Sequence, residues 1–360
     1  MSPNLKQLRD KIDSLDRRLI QVLNKRAAVA LEVAQQKKAK GVEVYSPERE
    51  DTLLKDIRSR YKGPLSEEAL GAIYAEIISA CRALQAMVRV VYLGPEGTFT
   101  HLAALKKFGK SAEYISKDNV AEIFHAVEAG NADCGVVPVE DPTEGAVTHT
   151  LDMFFDSDLK ICSEITLEIA HYLLGFIKKE KITKIYSHPQ VFAQCRQWLA
   201  QHCRKAELIP VSSTSRAAEY VLQQRDHAAC IGSVALSKLH RLGMIHAHIE
   251  DVAQNFTRFL VIAKKDAALT GDDKTSLLFS VKDRVGALYE MLLPFKHNKL
   301  NLTKIESRPS KKRPWEYYFF VDIHGHRQSA HVQRAIRGLA QKCVFLKVLG
   351  SYPASSRRDE

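Results

Sequence analysis

No Cys-x-x-Cys pair occurs among the 360 residues, although seven cysteines do. An odd number of cysteines spread from Cys81 to Cys343 points to neither a zinc site nor a disulfide framework. Long apolar runs are also missing. The most apolar candidate, Ile165 to Ile177, is broken by Glu168 and His171 and is too short for a bilayer. The first residues carry a charge every few positions and no secretory-type apolar stretch, so a reduced cytoplasm is expected. Neither Gly-x-Gly-x-x-Gly nor a P-loop is present, which leaves nicotinamide and nucleotide readings without support. No Gly-x-Ser-x-Gly marks a hydrolase.

What is present reads as folded protein: 45% of residues are hydrophobic and 26% charged. The formal net charge is +11, yet Lys and Arg are scattered through helical patterns. The one dense run, Lys311-Lys312-Arg313, sits between Pro309 and Pro314 and reads as a solvated hairpin tip. That distribution favours small anionic ligands over nucleic acid or a membrane.

Three units follow one another. The first, residues 1–88, is helical: Leu5, Leu8, Ile12, Leu15, Leu19, Val22, Val29 and Val33 step by threes and fours, with Arg26 filling the one gap. A helix from about Leu5 to Lys40 would be roughly 50 Å long, more than so small a domain can cover alone, which invites an entwined dimer. Ser46-Pro47 and Ser66 after Gly63-Pro64 mark the starts of two shorter helices. The second unit, 89–266, alternates short β-branched runs with helical stretches, as in an open α/β sheet. The third, 274–352, gives a βαββαβ order, the ferredoxin-like arrangement. The expected fold is therefore multidomain: all-α, then two-lobed α/β, then α+β.

In the helical unit Lys37 lies eleven residues after Arg26, almost three turns, so both cations share a face. Arg9 precedes Arg26 by seventeen residues, about 25 Å away and rotated by roughly 100°, and reaches the same pocket only from an antiparallel partner. Cys81 and Gln85 are one turn apart. By themselves these residues also fit a register-setting Arg26 and a solvated Lys37. Arg9, Arg26, Lys37, the pair Arg49-Glu50 and Gln85, at these spacings, resemble the all-helical chorismate mutases. The resemblance implies that Arg26 and a partner-chain Arg9 hold substrate carboxylates. It also implies that Lys37 and Gln85 donate to the ether oxygen and that Glu50 accepts from the ring hydroxyl. Ser46 stands where the pattern can have an acid, and Cys81 where serine is common; both are expected at the substrate.

In the α/β unit, Gly94-Pro95-Glu96-Gly97-Thr98 before a helical pattern has the form of an anion site made of helix-start N–H groups. Glu140-Asp141-Pro142, Ser187-His188 with Gln194, Ser213 to Ala217, and Thr257-Arg258-Phe259 follow in order. The Thr-Arg pair is notable because it interrupts an otherwise apolar strand, where an unpartnered guanidinium costs several kcal/mol. Together these segments resemble prephenate dehydratase, and the whole chain resembles the bifunctional chorismate mutase–prephenate dehydratases. The resemblance implies that Thr257 is essential for dehydration, that Arg258 helps hold the anionic substrate, and that Glu140, Ser187 and Gln194 are active-site residues; Thr98 and Asp141 are expected to bind substrate. A threonine hydroxyl is a poor acid, so Thr257 is assigned to hydrogen-bond the departing ring hydroxyl, with Glu140 the better proton source. Asp141-Pro142 replaces the usual Asn-Ser, which leaves a mutase with an impaired dehydratase as an alternative.

Gly286-Ala287-Leu288 and Glu306-Ser307-Arg308-Pro309 in the third unit resemble an ACT domain, whose paired copies bind an amino acid. The resemblance implies phenylalanine as the ligand, a homodimer or higher oligomer, and neither metal nor organic cofactor. Tyr289 stands where valine is usual. A non-catalytic amino-acid sensor is the remaining rival, and it has no use for Arg26, Lys37 and Gln85.

Overall fold

The computed structural model describes residues 4–41, 43–141, 145–146, 148–225, 227–253, 255–281, 284–309 and 317–355. The basic run at 311–313 lies outside them. Contacts divide the chain into two units: residues up to Arg89 with Lys106–Glu113, and Val90–Leu105 with the rest from Tyr114.

The first unit holds three helices, α1 (Leu5–Ala39), α2 (Pro47–Arg60) and α3 (Glu67–Ala83). Asn4 and Gln7 cap α1 reciprocally, and the Ser66 hydroxyl accepts from Ala69 N–H at α3. Ser46 holds the N-cap position of α2, but its hydroxyl donates to the Glu48 carboxylate rather than accepting from the backbone. The apolar stripe of α1 stays bare. Leu5, Leu8, Ile12, Leu15, Leu19, Val22, Val29 and Val33 are between 42% and 64% exposed, and Ala30 is the helix's one buried residue among those described. Among the described residues nothing covers this regular apolar face.

Apart from Arg89, the end of α4 from Lys106 and Glu113, which count with the first unit, the second begins with a lobe of β1 (Arg89–Leu93), α4 (Phe99–Phe108), β2 (Glu113–Lys117), α5 (Val120–Glu128), β3 (Cys134–Asp141), β4 (Gly145–Ala146), α6 (Thr148–Asp156) and β5 (Lys160–Glu168). The chain then enters a second lobe: β6 (Tyr172–Gly175), β7 (Lys184–Ser187), α7 (Pro189–Gln194), α8 (Arg196–His202), β8 (Glu207–Pro210), α9 (Thr214–Gln223), β9 (Ala228–Gly232), α10 (Val234–His240) and β10 (Gly243–His246). It returns to the first lobe as β11 (Phe256–Ala263). The two sheets run β2-β1-β3-β11-β5, with β4 on β3, and β10-β6-β9-β7-β8.

Strand directions locate the cleft. β1 and β3 are parallel, and β11 runs against both β3 and β5, so β11 begins where the others end, with Phe256 opposite Glu168. In the second sheet β7, β8 and β9 are parallel, and β6 begins where β9 ends, with Tyr172 opposite Gly232. Both crossings therefore join the carboxyl edges of the two sheets, the side on which open α/β sheets bind ligands. Ile169 N–H donates to Asn255 C=O at 2.7 Å and ties the crossings together.

The C-terminal sheet and its helices are β12 (Asp273–Val281), α11 (Ala287–His297), β13 (Leu302–Pro309), β14 (Tyr317–His324), α12 (Ala330–Ala340) and β15 (Phe345–Pro353), with strands ordered β13-β14-β12-β15. This is the expected βαββαβ arrangement. One apolar core runs from the first lobe into this sheet: Phe154, Ile161, Leu260 and Ile262 pack with Leu278, Phe320, Leu349 and Tyr352. The approach is close, since a Cβ on Gly350 would stand 2.2 Å from the Ile161 carbonyl oxygen.

Candidate active sites and the regulatory surface

The helical unit encloses a cavity of about 610 Å³. Arg26 and Lys37 reach it from α1, Ser46, Arg49 and Glu50 from the start of α2, Cys81 and Arg82 from α3, and Gln85 from just past its end. With Lys25, five cations and one carboxylate line it, a composition suited to a small dianion. Lys37 Nζ donates to Val44 C=O at 2.8 Å, which aims the ammonium across the opening between α1 and α2. Arg26 and Arg49 have no partner among the described residues. Gln85 makes only a long bond from Nε2 to Cys81 C=O, 3.4 Å, and its buried Oε1 has no partner there either. Arg9 is exposed on the first turns of α1 and does not line this cavity.

Arg82 escaped the sequence reading. It is 5% exposed and forms an ion pair with Glu50 at 2.5 Å, while its other nitrogen donates to Phe108 C=O. Its guanidinium lies over the rings of Tyr45 and Phe108, 5.7 and 5.5 Å from their centroids. Glu50 is thus held from behind by Arg82. The signal available in the sequence was a lone arginine between Cys81 and Gln85 on the otherwise apolar last turns of α3.

Thr257 lies at the head of β11, buried, its hydroxyl without a partner among the described residues. Around it at the joined carboxyl edges stand His171, Gln194 and the start of α4. His171 is fully buried; its Nε2 meets Gln194 Oε1 at 2.5 Å and its ring packs edge-on to Phe99 at 5.5 Å. Asn255, two residues before Thr257, carries a buried Oδ1 with no partner among the described residues. Neither His171 nor Asn255 was expected; their signal was a polar residue beside each crossing.

Several expectations are corrected here. Thr98 was expected to bind substrate, and its hydroxyl instead donates to Leu93 and Pro95 C=O, closing the loop before α4. The Gly97 N–H, expected to be open to an anion, donates to His101 Nδ1 at 3.2 Å. Burial lowers the His101 pKa, which keeps the imidazole neutral and able to accept that proton. Ser187 is fully buried, and its hydroxyl donates to Ile231 C=O at 2.9 Å, so it braces the sheet edge rather than offering a donor. Gln194 holds His171. The side chains of Glu140 and Asp141 lie outside the described part, as does Pro142; the backbone pairs Glu140 with Arg258 and Asp141 with Gly145.

Arg258 is the largest correction. Adjacent residues of a strand face opposite ways, so Arg258 turns from Thr257 towards the C-terminal sheet. All three of its nitrogens are engaged, with Glu164, Asp322 and Tyr352, and no fork remains for a substrate carboxylate.

On the C-terminal sheet, Gly286 starts α11 with φ of 79°, a conformation that favours glycine. Ala287 and Leu288 open the helix behind it. Glu306, Ser307, Arg308 and Pro309 lie on the edge strand β13, where Arg308 pairs with Glu306 and Lys304 stands 3.3 Å from the same carboxylate. Among the described residues no group of three or more His, Cys, Asp or Glu side chains could hold a metal, and no helix is long and apolar enough to cross a membrane.

The family model of chorismate mutase type II matches residues 8–86, that of prephenate dehydratase 90–267, and that of the ACT domain 275–341. The chain is 46% identical to the bifunctional chorismate mutase/prephenate dehydratase of Aquifex aeolicus, over 97% of its own length and 98% of the relative's. It belongs to the bifunctional chorismate mutase/prephenate dehydratase family. Among solved structures, the prephenate dehydratase of Arthrobacter aurescens in complex with L-Phe matches with TM-score 0.69 and 33% identity, covering 74% of this chain and 90% of that one. A quorum quenching acylase matches with TM-score 0.68 and 25% identity, covering 75% of this chain and 99% of that one.

Proposed function

We propose that the protein converts chorismate to prephenate in the helical unit and prephenate to phenylpyruvate in the α/β cleft, with phenylalanine acting through the ACT domain. The domains are taken as 1–88, 89–266 and 274–352. The observation that carries the reading is the cation-lined cavity holding Arg26, Lys37, Arg49, Glu50 and Gln85. A Claisen rearrangement is unimolecular and needs no nucleophile. Its catalyst has to fold a dianion and stabilise charge growing on the ether oxygen, which suits Arg26 and Arg49 on carboxylates and Lys37 with Gln85 on that oxygen. In the cleft, loss of carbon dioxide and of the ring hydroxyl makes the ring aromatic. Thr257 donates to the departing hydroxyl, and Glu140 supplies the proton that leaves with it as water.

Purified protein given chorismate should release phenylpyruvate. Accumulation of prephenate alone would favour the second reading, a mutase with an impaired dehydratase, which rests on Asp141 at the end of β3. No turnover of either substrate would sink both. The acylase relative is the reason to assay prephenate directly instead of inferring its use from the α/β fold.

The bare stripe of α1 supports a homodimer in which each chain lends Arg9 to the other's cavity. Mixing Arg9→Ala chains with Arg26→Ala chains should then restore part of the mutase activity, because one site of each mixed dimer is whole. No recovery despite proven subunit exchange would refute the shared site. All seven cysteines are free, which supports a reducing, cytoplasmic setting.

A further inference from the structure

Arg258 stands next to Thr257 in sequence, yet each of its three guanidinium nitrogens meets a partner that leads away from the cleft. Nε meets Glu164 Oε2 on β5 at 2.8 Å, Nη1 meets Asp322 Oδ2 on β14 at 2.6 Å, and Nη2 meets the Tyr352 hydroxyl on β15 at 2.9 Å. The cluster closes on itself. Ser276 on β12 donates to the other Asp322 oxygen and lies 2.7 Å from the Tyr352 hydroxyl, and Lys274 Nζ stands 2.9 Å from the second Glu164 oxygen. Two cations thus balance two carboxylates in a nearly dry place. Burial alone would raise the Glu164 and Asp322 carboxyls; Arg258, with Lys274 at Glu164 and Ser276 at Asp322, outweighs it and holds both below their ordinary values.

The cluster also has a second end. Asp322 pairs in register with Lys304 on β13, Lys304 stands 3.3 Å from Glu306, and Glu306 pairs with Arg308. Charged side chains therefore lead from the segment Glu306 to Pro309 across β14 to the residue beside Thr257, with Lys304 acting on Asp322 through its charge. The apolar core shared by the first lobe and the ACT sheet, with Gly350 pressed on Ile161, leaves this line little slack. Packed interiors of this kind shift between discrete arrangements rather than deform smoothly.

We propose that Arg258 is a positioning residue through which ligand occupancy of the ACT domain sets the place of Thr257 at the mouth of β11. The proposal rests on the reading that Thr257 acts on prephenate and that phenylalanine binds the ACT domain. Arg258 touches no substrate. It ties β11 to the sheet that carries the ligand segment, so a change at Glu306 to Pro309 reaches the head of the strand.

The test uses the full chain and two substitutions that keep volume, Tyr352→Phe and Arg258→Lys, with mutase activity as the internal control for folding. In Tyr352→Phe, calorimetry should find phenylalanine bound with an affinity close to that of the unmodified protein, while its effect on dehydration falls by about tenfold. In Arg258→Lys, dehydratase kcat should fall with KM for prephenate unchanged, since positioning rather than binding is lost. Tyr352→Phe inhibited as strongly as the unmodified protein would overturn the proposal. So would a KM raised by about tenfold at constant kcat in Arg258→Lys, which would return the residue to substrate binding. An unmodified protein that binds phenylalanine without any change in dehydration, or fails to bind it, would overturn the underlying reading and the proposal with it.

Discussion

Lys37→Ala should abolish chorismate rearrangement and leave prephenate dehydration close to its unmodified rate. Lys37 is the one ammonium in the cavity anchored by a backbone carbonyl, at Val44, so its charge is placed before substrate arrives. A preorganised charged donor at a developing oxyanion contributes at least ~3 kcal/mol, more than a hundredfold in rate. The residues proposed for dehydration lie in the other unit, so its rate should not register the loss. Separate assays on chorismate and on prephenate check this. Equal loss of both activities in a folded variant would refute the assignment of two sites.

Thr257→Val should be the counterpart. Valine keeps the shape and the strand preference of threonine and removes only the hydroxyl, which has no partner among the described residues to be orphaned. Folding stability should therefore change little. Dehydratase kcat should fall on the order of a hundredfold, the scale of one well-placed donor at a leaving group, and mutase activity should persist. Thr257→Ser, which restores the donor, should recover much of the rate. A valine variant that dehydrates prephenate normally would remove Thr257 from the chemistry.

Periodicity made the fold readable, and side-chain partners set its limit. Threes and fours along α1 gave a helix from Leu5, and the structure ends it at Ala39, within a residue of expectation. Six alternating elements gave the ACT sheet its order. Within the mutase cavity Arg26 could be read because it interrupts an apolar pattern and Lys37 because it shares that face, whereas Arg49 and Glu50 came only from the family resemblance. Arg82 could not, since its role appears only when Phe108, 26 residues on, supplies a carbonyl and a ring. Arg258 failed for the same reason on a longer scale. Strand alternation says that it faces away from Thr257, but Asp322 and Tyr352 lie 64 and 94 residues downstream. Thr98 and Ser187 show the converse error: a hydroxyl at a sheet edge looks available until the neighbouring carbonyls are counted.

The homodimer proposed from the uncovered stripe of α1 would also make the amount of protein a variable in its own stability. In that dimer a second chain would bury Leu8, Leu15 and Leu19 and folding would be a bimolecular event, so the melting point would belong to a concentration as much as to a sequence. Each tenfold dilution withdraws about 1.4 kcal/mol from the paired state. Specific mutase activity should thus decline in dilute assays where that of a self-contained enzyme would hold, and a substitution along the stripe would look harmless at high concentration and severe at low. In a cell, the helical unit would be switched on by expression level alone.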